Sequence, residues 1–194
     1  MPEPVDDLYL SPHFDDAVLS CGASIHRRAR ASMRQVVLTV CAGPPAGALT
    51  PFAAEHHRRW GAPPGGEADA ATAMVLRRRA EDDAALALLG AEAARLAVPD
   101  AIYRRLPDGR APYRGLDALF GPVAPGEAGL VAELAAALAD AAADVGVRAG
   151  TRVWIPLGAG GHVDHRLTRA AAEAWLRAAP TRRPARAYYE DLPY

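Results

Sequence analysis

Along the chain, short unbroken apolar runs alternate with longer stretches of helical spacing. Residues 5–11 read as a strand whose apolar part is Leu8-Tyr9-Leu10. From Asp15 to about residue 30, Val18, Leu19, Gly22 and Ile25 recur on one helical face. Asp15 and Asp16 suit that helix's first turn, where carboxylates meet the positive end of its dipole. Residues 35–41 (QVVLTVC) form a continuous β-branched run, the pattern of a strand buried on both faces of a parallel sheet. Residues 43–66, rich in Pro, Gly and Ala, read as a long loop with the character of a substrate lid.

A helix is expected over 71–89, with Gly90 as its cap. A short strand is expected over 94–98, a turn-rich stretch over 99–126, and an alanine-rich helix over 127–145. Residues 152–156 (RVWIP) read as a strand, 157–162 as a glycine-rich turn, 164–178 as a helix and 186–189 as a last strand. Strands alternating with helices predict an α/β fold, a mostly parallel sheet with helices on both faces. Without a linker or an internal repeat, residues 1–194 are expected to form one domain.

Composition narrows the function. A net charge of −1 argues against nucleic acid or an anionic membrane as a partner. No run is long enough for an apolar membrane span, and the acidic start MPEPVDDLYL lacks the features of a signal peptide, so a cytoplasmic protein is expected. All basic residues other than histidine are arginine, as in a GC-rich bacterial genome. Cys21 and Cys41 lie outside any CxxC pair and read as small buried thiols. The sequence stops abruptly after Asp191-Leu192-Pro193-Tyr194, which leaves a further C-terminal segment open.

Two clusters carry chemistry. Ser11-Pro12-His13-Phe14-Asp15-Asp16 ends the first strand, and Gly161-His162-Val163-Asp164-His165 comes after a later one. Ligands of open α/β sheets bind outside the carboxyl ends of the strands, so both clusters belong to one edge. Zinc favours histidine nitrogen and carboxylate oxygen, with three protein ligands and an open position in catalytic sites. His13 and Asp16 can reach one ion, and one histidine of the second cluster would complete the set. Asp15 would stay unligated, placed to take a proton from water. A second histidine could stabilise an oxyanion or protonate a leaving amine.

The segments SPHFDDAVLSCG, LRRRAEDDAALALLG, VPDAIYR, PLGAGGHVDHR and YYEDLPY resemble the LmbE-like/PIG-L family of zinc N-deacetylases, in order and over nearly the whole chain. The resemblance implies a Rossmann-like fold and removal of an N-acetyl group from an amino-sugar-like or glycosylated natural-product substrate. By position it implies His13, Asp16 and His165 as metal ligands and Asp15 as general base. It also implies His162 as the histidine that steadies the tetrahedral intermediate, and Asp164 as a residue that orients a neighbouring histidine. Asp100 resembles a position that contacts sugar hydroxyls. Phe14 stands where many members have Pro, and Ala17 where many have Glu.

The donor set suits Zn²⁺ and also accepts Fe²⁺ or Co²⁺. Helix capping is the alternative reading of Asp15, Asp16 and Asp164. His26, His56 and His57, set among arginines, read as a solvated face, and Arg77 to Arg79 with Glu81 to Asp83 as surface pairs, one arginine of which reaches the site. Residues 188–191 divide between lining the pocket and strand-end packing. Trp154 and Trp175 read as core. Rival functions are an amidase acting on a larger thiol conjugate or biosynthetic intermediate, and a non-catalytic binding protein on the same fold. A nucleotide-binding Rossmann protein is disfavoured because no G-x-G-x-x-G comes after the first strand. Oligomeric state is not set by the sequence, so a homo-oligomer stays open.

Overall fold

The computed structural model describes residues 2–45, 47–62, 68–178 and 184–191. Among these, five strands form one parallel sheet, β1 (Asp7–Ser11), β2 (Gln35–Thr39), β3 (Glu92–Arg95), β4 (Arg152–Pro156) and β5 (Ala185–Tyr189), in the order β3-β2-β1-β4-β5. The six α-helices in this part of the chain are α1 (Asp16–Arg30), α2 (Pro51–Arg59), α3 (Ala68–Leu89), α4 (Leu116–Leu119), α5 (Leu130–Val145) and α6 (Val163–Ala178). No described helix is long and apolar enough to cross a membrane.

The pleat sorts the strand side chains between two cores. Leu8 and Leu10 of β1, Val36 and Leu38 of β2, and Val153 and Ile155 of β4 share one buried cluster with Leu134 and Leu138 of α5 and Leu167 and Leu176 of α6. The alternate residues Tyr9, Val37 and Trp154 face Cys21 and Ile25 of α1 and Leu86 of α3. The expected layering, helices on both faces of a parallel sheet, is what forms. A third cluster, including Phe14, Ile102, Tyr113 and Leu119, sits where the chain leaves the strands and walls the carboxyl edge of the sheet.

The chain winds outward from β1 to β2 and β3, then crosses back to place β4 on the other side of β1. That reversal puts the switch point between β1 and β4, where open α/β sheets bind ligands.

Several expectations shift. Within 43–66, expected to be loop, residues 51–59 form α2. Thr50 Oγ1 accepts from Ala53 N at 3.1 Å and Pro51 starts the helix, a cap-plus-proline signal that outweighs the surrounding loop composition. Residues 46 and 63–67 of that stretch lie outside the described part. β3 covers residues 92–95 instead of 94–98, because its register is set by main-chain pairing along β2 rather than by its apolar residues. The helix expected over 127–145 starts at Leu130, since Glu127 closes a short 3-10 turn and turns inward. His57, expected to be solvated, is buried, and its Nε2 lies 2.6 Å from Tyr103 Oη.

Candidate metal centre

β1 ends at Ser11, and Ser11 Oγ shapes the turn into α1. It donates to His13 O (2.7 Å) and accepts from Ala17 N (3.0 Å). Ser11 therefore does the capping work at the start of α1. Asp15, at the N-cap position, makes no side-chain cap bond and has a left-handed backbone (φ 84°). Such a conformation costs a non-glycine residue about 1–3 kcal/mol and gathers at functional sites. The capping alternative for Asp15 therefore fails. Its carboxylate lines a cavity of about 340 Å³ and lies 3.2 Å from Arg78 Nη2. Burial pushes the Asp15 carboxyl up, and the Arg78 charge works against that shift.

The loop from β4 to α6 turns at Gly158 (φ 66°) and Gly161 (φ 84°), backbone that favours glycine. It delivers His162, Asp164 and His165 opposite His13 and Asp16. Asp16 Oδ2 lies 3.3 Å from His13 Nδ1 and 3.3 Å from His165 Nε2. The other nitrogen of each ring is engaged by a carboxylate. His13 Nε2 lies 3.0 Å from Asp164 Oδ2, and His165 Nδ1 bonds Asp191 Oδ2. With Nε2–H of His13 donated to Asp164 and Nδ1–H of His165 donated to Asp191, both remaining lone pairs face the same carboxylate oxygen.

Electron-rich atoms gathered in this way favour a positive charge among them, a proton or a metal ion. Donors about 2.0–2.1 Å from a tetrahedral ion stand roughly 3.3 Å apart, the spacing observed from Asp16 Oδ2 to each of the two ring nitrogens. Imidazoles backed by carboxylates are the usual support of such ligands. The residues present therefore fit a divalent metal. The charge balance agrees. Burial would push the His13 imidazole down, yet Asp100, Asp16 and Asp164 hold it well above its ordinary value, so the surrounding carboxylates favour a positive charge at this point.

His162 completes the group. Its ring meets His13 edge-on at 5.0 Å, and one ring nitrogen each of His13, His162 and His165 falls within 4.8 Å of the others. His162 Nδ1 accepts from Asp164 N at 3.3 Å, so the proton of the neutral ring sits on Nε2. Burial pushes this imidazole down to about 3, with the neighbouring His13 adding to the effect. Asp164 takes no capping role either. Its carboxylate faces His13, Ala101 N (2.9 Å) and Arg104 (2.5 Å). Asp100 lines the same cavity, with Oδ2 3.7 Å from His13 Nε2.

Every residue named from sequence for this site thus meets at one edge. Sequence reasoning misses Arg104 and Glu127, names Asp191 only as a residue of 188–191 that lines the pocket or packs at the strand end, and leaves the choice of arginine open. The structure selects Arg78, whose guanidinium also lies 4.6 Å from the Trp60 ring. Asp191 lies two residues past β5 and is buried, receiving His165 and Gly158 N (2.9 Å). A polar residue just past a last strand is the available signal.

The model of the PIG-L family, described as GlcNAc-PI de-N-acetylase, matches residues 8–176. No curated protein matches the chain. Among solved structures, a deacetylase of the teicoplanin biosynthesis pathway, crystallised as a complex with bog, is 34% identical. The match covers 98% of this chain and 68% of that one, with a TM-score of 0.81. The zinc-inhibited form of the teicoplanin deacetylase Orf2 is 33% identical over 97% of this chain and 68% of its own, with a TM-score of 0.79. The A40926 pseudoaglycone deacetylase Dbv21 is 33% identical over 99% of this chain and 66% of its own, at 0.73.

Proposed function

The chain belongs to the PIG-L (GlcNAc-PI de-N-acetylase) family, and from that premise we propose that it is a metal-dependent hydrolase that removes an N-acetyl group from the amino sugar of a glycosylated natural product. One observation carries the reading. Two imidazoles, each backed by a buried carboxylate, turn their other nitrogens to within 3.3 Å of one Asp16 oxygen at a cavity edge.

His13, Asp16 and His165 would hold the ion, Zn²⁺ or the similarly bound Fe²⁺ or Co²⁺. When bound, it polarises the amide carbonyl and makes a nearby water more acidic. Asp15 takes that water's proton as the oxygen attacks the carbonyl carbon. His162, neutral and carrying its proton on Nε2, donates to the carbonyl oxygen as negative charge develops there. The C–N bond then breaks, and the proton held by Asp15 passes to the leaving amine, giving acetate and a free amino group. Asp100, which lines the cavity, accepts hydrogen bonds from sugar hydroxyls in this reading. Arg78 steadies Asp15.

The cavity mouth supports a substrate larger than a bare sugar. Leu19, Leu116 and Phe120 line it, and they are 61%, 55% and 41% exposed. Exposed apolar side chains gathered at one opening favour a ligand with its own apolar surface. The relatives named for teicoplanin and A40926 pseudoaglycone point to the same class.

The test is acetate release from N-acetylglucosamine and from its glycosides with apolar aglycones, before and after chelation. Release is expected to be faster with the apolar glycosides, to be abolished by chelator and to be restored by added Zn²⁺. Release indifferent to chelation, or none from any acetylated amino sugar, would contradict the reading.

A further inference from the structure

Behind His13 runs a chain of buried charges that the proposed chemistry does not use. Asp164 Oδ1 receives Arg104 Nη1 at 2.5 Å. The other side of the same guanidinium meets Glu127, Nε to Oε1 at 2.7 Å and Nη2 to Oε2 at 3.4 Å. Tyr113 Oη donates to Glu127 Oε2 (2.7 Å) and accepts from Ala124 N (3.1 Å), and the Arg104 guanidinium lies 5.2 Å from the Tyr113 ring. Arg104 Nη1 also reaches Pro99 O (3.3 Å). Asp164, Arg104, Glu127 and Tyr113 are all buried.

Stability alone does not explain such a chain. Desolvating several charges costs several kcal/mol each, and apolar replacements of buried ion pairs are often neutral or stabilising. What the chain does supply is direction. With Ala101 N and His13 on Oδ2 and Arg104 on Oδ1, Asp164 has one orientation that satisfies its partners. That orientation turns His13 so that Nδ1 faces Asp16.

We propose that Arg104, clamped by Glu127, is a positioning residue for the metal centre, fixing the Asp164 carboxylate so that His13 presents Nδ1 to the ion. The inference rests on the ligand set His13, Asp16 and His165. Arginine is required because its planar fork bridges two carboxylates at once, whereas an ammonium on a flexible stem holds one. Arg104 ends the segment VPDAIYR, but its role behind Asp164 shows only when the fold brings it beside Asp164 and Glu127.

The test is Zn²⁺ affinity, by competition with a chromophoric chelator, alongside the melting temperature of the metal-free protein. Arg104→Met and Arg104→Lys are each expected to bind Zn²⁺ about 10–100-fold more weakly, the usual cost of losing support behind a ligand. Tyr113→Phe, farther from the ion, is expected to lose less. A purely structural role would lower the melting temperature and leave the affinity of the folded protein unchanged, and that result overturns the proposal. Should Arg104→Met fail to fold, Arg104→Lys decides alone, and wild-type affinity in it overturns the proposal. His13→Ala separates the two levels. Undiminished Zn²⁺ binding there refutes the ligand set. Loss there with wild-type affinity in the Arg104 variants refutes only the positioning role.

Discussion

Two buried aspartates stand at opposite ends of the sheet, and their surroundings differ in kind. Asp7, at the start of β1, receives Arg28 Nε (2.5 Å), Gln35 Nε2 (3.1 Å) and Trp154 Nε1 (2.9 Å). The arginine Nε, the glutamine Nε2 and the indole Nε1 are all fixed donors, and none offers a second ring nitrogen to a ligand beyond it. Asp164, at the other end, is equally well supplied, but one of its partners is an imidazole. An imidazole has a second nitrogen, and that nitrogen faces Asp16. Asp191 repeats the device through His165. A buried aspartate satisfied by fixed donors closes a structure. One satisfied by histidine transmits its orientation to whatever the far side of the ring meets.

Breaking each side of this contrast should give different signatures. The largest effect is expected from Asp15→Ala at the reactive end. Loss of a general base typically costs about 10²–10⁴-fold in turnover. Metal content should stay at the wild-type level, because Asp15 is no ligand in this account. Next is Asp7→Ala, which leaves Arg28 beside a vacated anion site. Stability should fall by about 3–5 kcal/mol in chemical denaturation, the scale for stripping a buried pair of one partner. Zn²⁺ affinity per folded molecule should not change. The smallest of the three is Asp191→Ala. It should weaken Zn²⁺ binding about 10–100-fold, read by chelator competition, because the His165 ring loses its guide.

The same contrast explains what is legible in the sequence. The sheet is legible because apolar runs such as 35–41 are local patterns, and the two clusters because the strands at 7–11 and 152–156 lead into His and Asp residues close along the chain. Local pattern carries such features. α2 is equally local, announced by Thr50-Pro51, but the glycine and proline around it mask the signal. The supporting residues are hidden for another reason. Asp191 lies 26 positions from His165, and Arg104 lies 60 from Asp164 and 23 from Glu127. Charge type alone does not distinguish them from solvated residues, and only the fold makes them neighbours, through the crossover from β3 to β4 for Arg104 and through the pairing of β4 with β5 for Asp191. His57 looks solvated for the same cause, since Tyr103, which covers it, is 46 positions away.

The central claim is that His13, Asp16 and His165 grip one cation. Crystals of the metal-loaded full chain, measured at the absorption edge of the bound metal, test it directly. One anomalous peak is expected about 2.0–2.2 Å from His13 Nδ1, an Asp16 carboxylate oxygen and His165 Nε2. A peak held instead by His13, His162 and His165 without Asp16, or by His13, Cys41 and Asp164, the two donor clusters that gather among the described residues, would contradict it.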